Sequence, residues 1–394
     1  MALRLRLRTH RDFRDGEEGL TTRLHDIVRE RGPLTVAAFM DLALYDSDFG
    51  YYARAARRSG RAGDFFTSVD VGPVFGELLA KQIVEMAGLI EPRPSTDSPP
   101  FDLVEAGAGS GRLSADILRA IRRRNPDTYE RLRLHLVEIS AEARVAQRES
   151  LGDSSDRLAS SSADLPDSFT GVLIANELLD ALPVHQVVMR DDGLHEVYVG
   201  IEGDRLTTVE GPPSTPQLIE HLEREHVALE PGWRVEINLR AVEWTRSAVR
   251  ALTRGFVILI DYGHPATELY SVTHSAGTLT TYSRHTMAGP EQSGDVPVWL
   301  DRPAEQDITA HVDFTGVQQA AEQAGAATLG FLDQTYFLLG LGAADLDAAD
   351  LKTRLALKTL LMPGGLGSTL KVLILGKNVG TPALMGCSFR MRVT

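Results

Sequence analysis

Residues 103–113 read LVEAGAGSGRL, with an acid and three glycines at alternate positions: Glu105, Gly107, Gly109 and Gly111. A turn of this kind after an apolar run offers backbone N–H groups and a helix start to a ligand, and glycine lets the ligand come close. A dinucleotide requires G-x-G-x-x-G or G-x-G-x-x-A. Counted from Gly107 the sixth residue is Arg112, and from Gly109 it is Ser114, so that fingerprint fails in both registers. Two acids extend the pattern. Glu138, in HLVEIS, stands where an acid accepts both hydroxyl protons of a ribose. Asp164, in SSADLP, is placed to contact an adenine amine, or else serves the turn that Asp before Leu-Pro favours. Downstream, Asn176 and Glu177 leave a strand at its carboxyl end, where ligands bind in parallel sheets. Asp180 follows three residues later and shares a side with Glu177 if a helix starts there; both acids also suit a helix N-terminus. Asp64, in GDFF at 63–66, is a lid residue or a turn cap.

Other chemistries lack their residues. His311-x-Asp313 is half a metal site with no second pair at ligand spacing, so no metal is expected. No G-x-S-x-G elbow is present, and Gly109-Ser110-Gly111 has the wrong spacing for one. His185 reads either as a core histidine or as a functional one.

These residues need elements to hold them. Apolar periodicity predicts a helix over 17–45, broken at Gly32-Pro33, and another over 72–90. Residues 46–70 are turn-rich, and EPRPSTDSPP at 91–100 is a linker by composition. Then strand, turn and helix alternate: strands at 101–106, 132–140, 171–177 and 255–263, a third strand ahead of Asp164, and helices at 112–123 and 141–150. Such alternation implies parallel strands buried on both faces. TLKVLILGK at 369–377 reads as a closing strand of antiparallel sense. The alternating pattern within 187–237 reads as a small hairpin, and 264–325 as a polar interruption.

Composition narrows the classes. With 394 residues, 43% hydrophobic and 24% charged, the chain is an ordinary globular protein large enough for one big or two unequal domains. A net charge of −13 argues against general nucleic-acid binding. The longest strong apolar run, FVILI at 256–260, is strand-sized, so no membrane span is expected. One cysteine, Cys387, fits a reducing compartment, and the expectation is cytoplasmic. The arginine-rich start alternates with leucine over 3–8, which favours an extended arm over a targeting helix.

The E-x-G-x-G-x-G turn resembles the first motif of class I methyltransferases that use S-adenosylmethionine. GDFFTS at 63–68, FGELLA at 75–80, LVEIS, IANELLDALPVHQ at 174–186, IDYG at 260–263, GTLTTYSRH at 277–285 and DITAHVDF at 307–314 are together similar to the MidA-like methyltransferase family. The resemblance spans roughly 40–377 in the right order. It departs at Ser68-Val69-Asp70, where the family has Ser-Pro-Glu, and at Ala108 and Ser110, where it has Pro and Arg. It implies an α/β fold: a Rossmann-like, mostly parallel sheet with helices on both faces, an N-terminal helical region and an inserted substrate-covering region. On that reading 1–98 is an arm and helical lid region. Residues 99–263 are the cofactor core with the hairpin inserted, 264–325 an acceptor-side insertion, and 326–394 the completion of the sheet and a tail. The cofactor is S-adenosyl-L-methionine, held by Glu105, Gly107, Gly109, Gly111, Glu138, Asp164 and Asn176.

One member of that family methylates an arginine of a respiratory complex I subunit. For such an acceptor, Glu177 is the first choice of clamp, with Asn176, Asp180 and Asp64 beside it as catalytic candidates; carboxylates grip guanidinium bidentately and can take its proton. The expected partner is a protein or small-molecule acceptor, with a homodimer left open, and neither nucleic acid nor membrane. A small-molecule O- or N-methyltransferase, or a cofactor-binding assembly chaperone with little turnover, are the alternatives.

Overall fold

The structure is a computed structural model that describes residues 10–54, 67–91, 100–283, 286–290, 296–346, 350–362 and 366–389. The expected arm over 3–8, the candidate Asp64 and most of the linker lie outside the described residues.

The buried apolar runs form one sheet. Its strands are Phe101–Ala106 (β1), Leu132–Val137 (β2), Leu158–Ser162 (β3), Phe169–Asn176 (β4), Leu252–His264 (β5), Ala327–Asp333 (β6) and Leu370–Lys377 (β7). Their order is β6-β7-β5-β4-β1-β2-β3, and a short strand, Val312–Asp313, pairs with the end of β5. Every neighbour is parallel except β7, which runs antiparallel to β5 and β6. The order reverses between β1 and β4. Ligands bind outside the carboxyl ends of such strands at that switch.

Helices Val74–Ile90 (α1), Arg112–Arg124 (α2), Ala141–Leu151 (α3), Phe314–Gln323 (α4) and Gln334–Gly340 (α5) accompany the sheet. Phe256, Ile258 and Ile260 of β5 join a core with Phe75, Leu78 and Leu79 of α1 and Ile117 and Ile121 of α2. Val257 and Leu259 point the other way and are also fully buried, so both faces of β5 are covered. The second strand ends at Val137 rather than 140, because the chain turns there into the Ser140 cap of α3.

By internal contacts the chain divides into two compact units. The sheet unit draws on 58–180, 240–269 and 311–394; the other draws on 1–57, 181–239 and 270–310. The segments 1–98 and 264–325 are thus each divided between the units. In the second unit, helices His10–Arg31 and Val36–Tyr45 flank the break expected at Gly32-Pro33, the first starting seven residues before the expected 17. The region read as a small hairpin is larger. His185–Arg190 pairs with Gly193–Glu202 and with Arg234–Ile237, while Gly193–Glu202 also pairs with Arg205–Gly211 and Leu34–Thr35, giving a five-stranded antiparallel sheet. The alternating pattern was visible, but its partners at 34–35 and 234–237 lie too far along the chain for a local reading. The interval 264–325 holds a second small sheet, with Thr280–Ser283 between Thr286–Ala288 and Asp307–Thr309, together with α4.

Candidate active site

The glycine turn follows β1. Gly107, Gly109 and Gly111 have φ of 70°, 50° and 80°, a region that strains side chains with a Cβ. Gly107 and Ala108 both donate their N–H to Val137 O, at 3.0 and 3.1 Å, which folds the turn over the end of β2. A Cβ on Gly107 would lie 3.1 Å from Leu178 Cδ1, and one on Gly111 3.2 Å from Leu136 Cδ1. Around Gly109 a Cβ would meet nothing within 4 Å. The outer glycines therefore allow packing, and the middle one borders open space.

Glu138 and Glu105 divide the work of holding this turn. Glu138 Oε2 accepts from Gly109 N–H at 2.8 Å, and its Oε1 accepts from Ser140 N–H at 2.7 Å. A carboxylate has further lone pairs, so it can hold the turn and still receive ribose hydroxyls. Glu105 does not face the ligand space. Its carboxylate turns under the turn and accepts from Ser114 N–H at 3.1 Å and from Ser114 Oγ. The acid assigned to the cofactor from sequence instead fixes the start of α2. Asp164 is exposed in the turn after β3, where its carbonyl accepts from Ser162 Oγ at 2.6 Å; the adenine contact stays a proposal.

Burial pushes the Glu105 carboxyl up to about 7, against the Ser114 hydrogen bonds. A group whose folded pKa is raised stabilises the fold fully below its unfolded value and loses that contribution as pH climbs through the folded one. Wild type should therefore lose about 3 kcal/mol between pH 4.5 and 8 from this residue alone. Glu105→Gln should melt at a temperature that gains on wild type as pH rises from 5 to 9, read by thermal unfolding; a difference independent of pH would remove this account.

β4 delivers Asn176 and Glu177 beside the turn, with Leu178 packed against Gly107. The helix allowed for here does not form: 177–182 is a turn, with Glu177 itself at φ 52°. A side chain held in that region reflects surroundings that over-determine it. Glu177 N–H donates to Ile260 O at 2.8 Å. Glu177 Oε1 accepts from Asn176 Nδ2 at 3.1 Å and from Ser68 N–H at 3.3 Å. Asn176 Oδ1 is buried with no donor among the described residues. Asp261, near the end of β5, accepts from the N–H groups of Leu178 and Leu179 at 3.1 and 2.7 Å and from Tyr262 N–H at 2.9 Å. Asp180 enters through its backbone, which also favours the Asp261 anion. Asp261 thus shapes the turn that presents Glu177, a role sequence did not assign.

Burial, then the charge of Asp261, pushes the Glu177 carboxyl up to about 8, with Asp70 adding to it. Burial raises Asp261 to about 7 against four backbone donors. Asp70 pairs with Arg112 Nη1 at 2.6 Å, and Arg112 is the first residue of α2 after Gly111. The acid kept from the family pattern thereby ties the 67–71 turn to the glycine turn. The remaining candidates have other partners. His185 Nδ1 lies 2.8 Å from the buried Glu196, and Asp313 caps α4 by accepting from Thr315 and Gly316 N–H at 3.0 and 3.2 Å.

A cradle open at Gly109 and a carboxylate at the tip of β2 fit an adenosine-bearing cofactor. Comparison with known proteins agrees. Residues 78–332 match the model of Methyltransf_28, a family of S-adenosyl-L-methionine-dependent methyltransferases. The chain is 32% identical to mouse protein arginine methyltransferase NDUFAF7, mitochondrial, over 80% of this chain and 72% of that one. It is 31% identical to the human protein of that name, over 80% and 71%. A crystal structure from Burkholderia thailandensis, bound to S-adenosyl-homocysteine, superposes with a TM-score of 0.85 at 28% identity and covers 98% of each chain. The chain belongs to this MidA-like family of S-adenosyl-L-methionine-dependent methyltransferases.

Proposed function

We propose that the chain methylates a guanidinium nitrogen of a protein arginine. The observation that carries this reading is the acceptor-rich end of β4: a carboxyl raised to about 8 beside an amide oxygen with no donor among the described residues, next to the cofactor turn. A buried acceptor without a donor is costly, so the site calls for a ligand rich in N–H groups. Guanidinium has five, and its charge drives Glu177 to the anion.

When bound, S-adenosylmethionine supplies an electrophilic methyl group on a sulfonium. Gly109 would leave room for it, and Glu138 would accept its ribose hydroxyls. Glu177 grips the guanidinium through the oxygen left by Ser68 and Asn176 and biases positive charge away from the reacting nitrogen. As that nitrogen loses its proton, Glu177 accepts it. The mitochondrial relatives named as arginine methyltransferases support the acceptor class. Their names give no support to a cytoplasmic setting, which rests on the single cysteine alone.

The test is transfer of labelled methyl from S-adenosylmethionine into a cell lysate by the purified chain, followed by hydrolysis of the labelled protein. Methylated arginine is expected. Label confined to small molecules would replace the protein acceptor, and bound cofactor with no label in any fraction would favour an assembly role.

A further inference from the structure

Gln334 opens α5 directly after β6. Asp333 pairs in register with Lys371, and Lys371 with Asp261, which sets Gln334 at the same edge of the sheet as the Glu177 turn. Gln334 and Ser68 are both fully buried. Gln334 Oε1 accepts from Ser68 Oγ at 3.2 Å, and Ser68 N–H donates to Glu177 Oε1 at 3.3 Å. The other end of the amide, Gln334 Nε2, has no partner among the described residues. A leucine would fill this volume without stranding a donor, so packing alone does not account for a glutamine here. The Ser68 turn has a second anchor in Asp70, which accepts from Thr67 N–H and Oγ1, both at 3.1 Å, and pairs with Arg112.

We infer that Gln334 is a positioning residue for the acceptor carboxylate: it fixes Ser68, and Ser68 aims its N–H at Glu177 Oε1, leaving Oε2 for the acceptor. This rests on the assignment of Glu177 to the acceptor. The donor favours the ionised carboxylate, so loosening it moves the titration of Glu177 towards alkaline pH. The charged groups facing Glu177 are Asp261 and Asp70, the latter paired with Arg112; Lys371, the register partner of Asp261, pairs with Asp333, the residue before Gln334.

The test is direct titration of Glu177 by carbon NMR of protein labelled at the glutamate carboxyl carbon, the signal assigned by its absence in Glu177→Gln. Gln334→Leu and Ser68→Ala should each lower the ionisation constant of Glu177 about threefold or more. The double variant should match either single one, because the two residues act in series. Affinity for S-adenosylhomocysteine should stay unchanged. A midpoint identical to wild type in Ser68→Ala and in Gln334→Leu overturns the inference, and if Gln334→Leu does not fold, Ser68→Ala decides alone. Normal methyl transfer by Glu177→Gln would instead overturn the acceptor assignment beneath it.

Discussion

Glu177→Gln should bind S-adenosylhomocysteine within about twofold of wild type and transfer methyl about a hundredfold more slowly, the size of effect a positioned acid–base group supplies. Glutamine keeps the length of the side chain and an oxygen for the donors at 3.1 and 3.3 Å. It removes the charge that grips a cation and the base that takes its proton. Wild-type kcat/KM should rise with pH up to a plateau above about 8, because the protonated carboxyl present below that value cannot clamp guanidinium. The variant should lack this limb. Calorimetry with the product cofactor and a labelled-methyl assay across pH 6–10 separate binding from turnover. Turnover within about threefold of wild type would take Glu177 out of the chemistry.

The second large effect lies on the cofactor. Glu138→Ala should weaken S-adenosylhomocysteine binding by about 1–3 kcal/mol, the range for losing hydrogen bonds to a charged group. It loses the proposed ribose acceptor together with the bonds of 2.8 and 2.7 Å that hold the N–H groups of Gly109 and Ser140. Glu138→Gln separates them. Its amide oxygen can still hold Gly109 but is a weaker acceptor for two hydroxyls, so its loss should fall between wild type and alanine. Unchanged affinity in the alanine variant, by calorimetry, would remove the ribose assignment.

Much of this site was legible because its signals are local. The glycine spacing, the acid at the tip of β2 and the Asn-Glu pair after β4 each lie within a few residues of a strand end, and all three fall along one edge of the sheet. Glu105 carried the same signal but points beneath the turn, since strand residues alternate faces and Ser114 of α2 waits on its side. Sequence could not assign Ser68, Asp70, Arg112 and Asp261 their supporting roles, because those bonds join residues 42, 83 and 109 positions apart. Gln334 had no signal at all: one polar residue in a helix start that also carries Thr335 and Tyr336. In the second unit the alternation of polar and apolar residues showed strands but not their number, as pairing with 34–35 is invisible to any short window.

One feature of that second unit bears on how the chain reaches its fold. Central strands β4 and β5 pair in continuous register from Arg254 to Ile260, yet 75 residues lie between Asn176 and Leu252 in the chain that joins them. Closing so long a loop costs entropy that grows with the logarithm of its length. The excursion, however, returns on itself. Asn238 Nδ2 donates to Leu182 O at 3.2 Å, and His185 pairs with Ile237. Once this antiparallel ribbon has zipped, the loop left to close is the short run on either side of it. Folding that begins in the insertion brings β5 to β4 as a near neighbour, so slow, long-range strand pairing becomes a nearly local event.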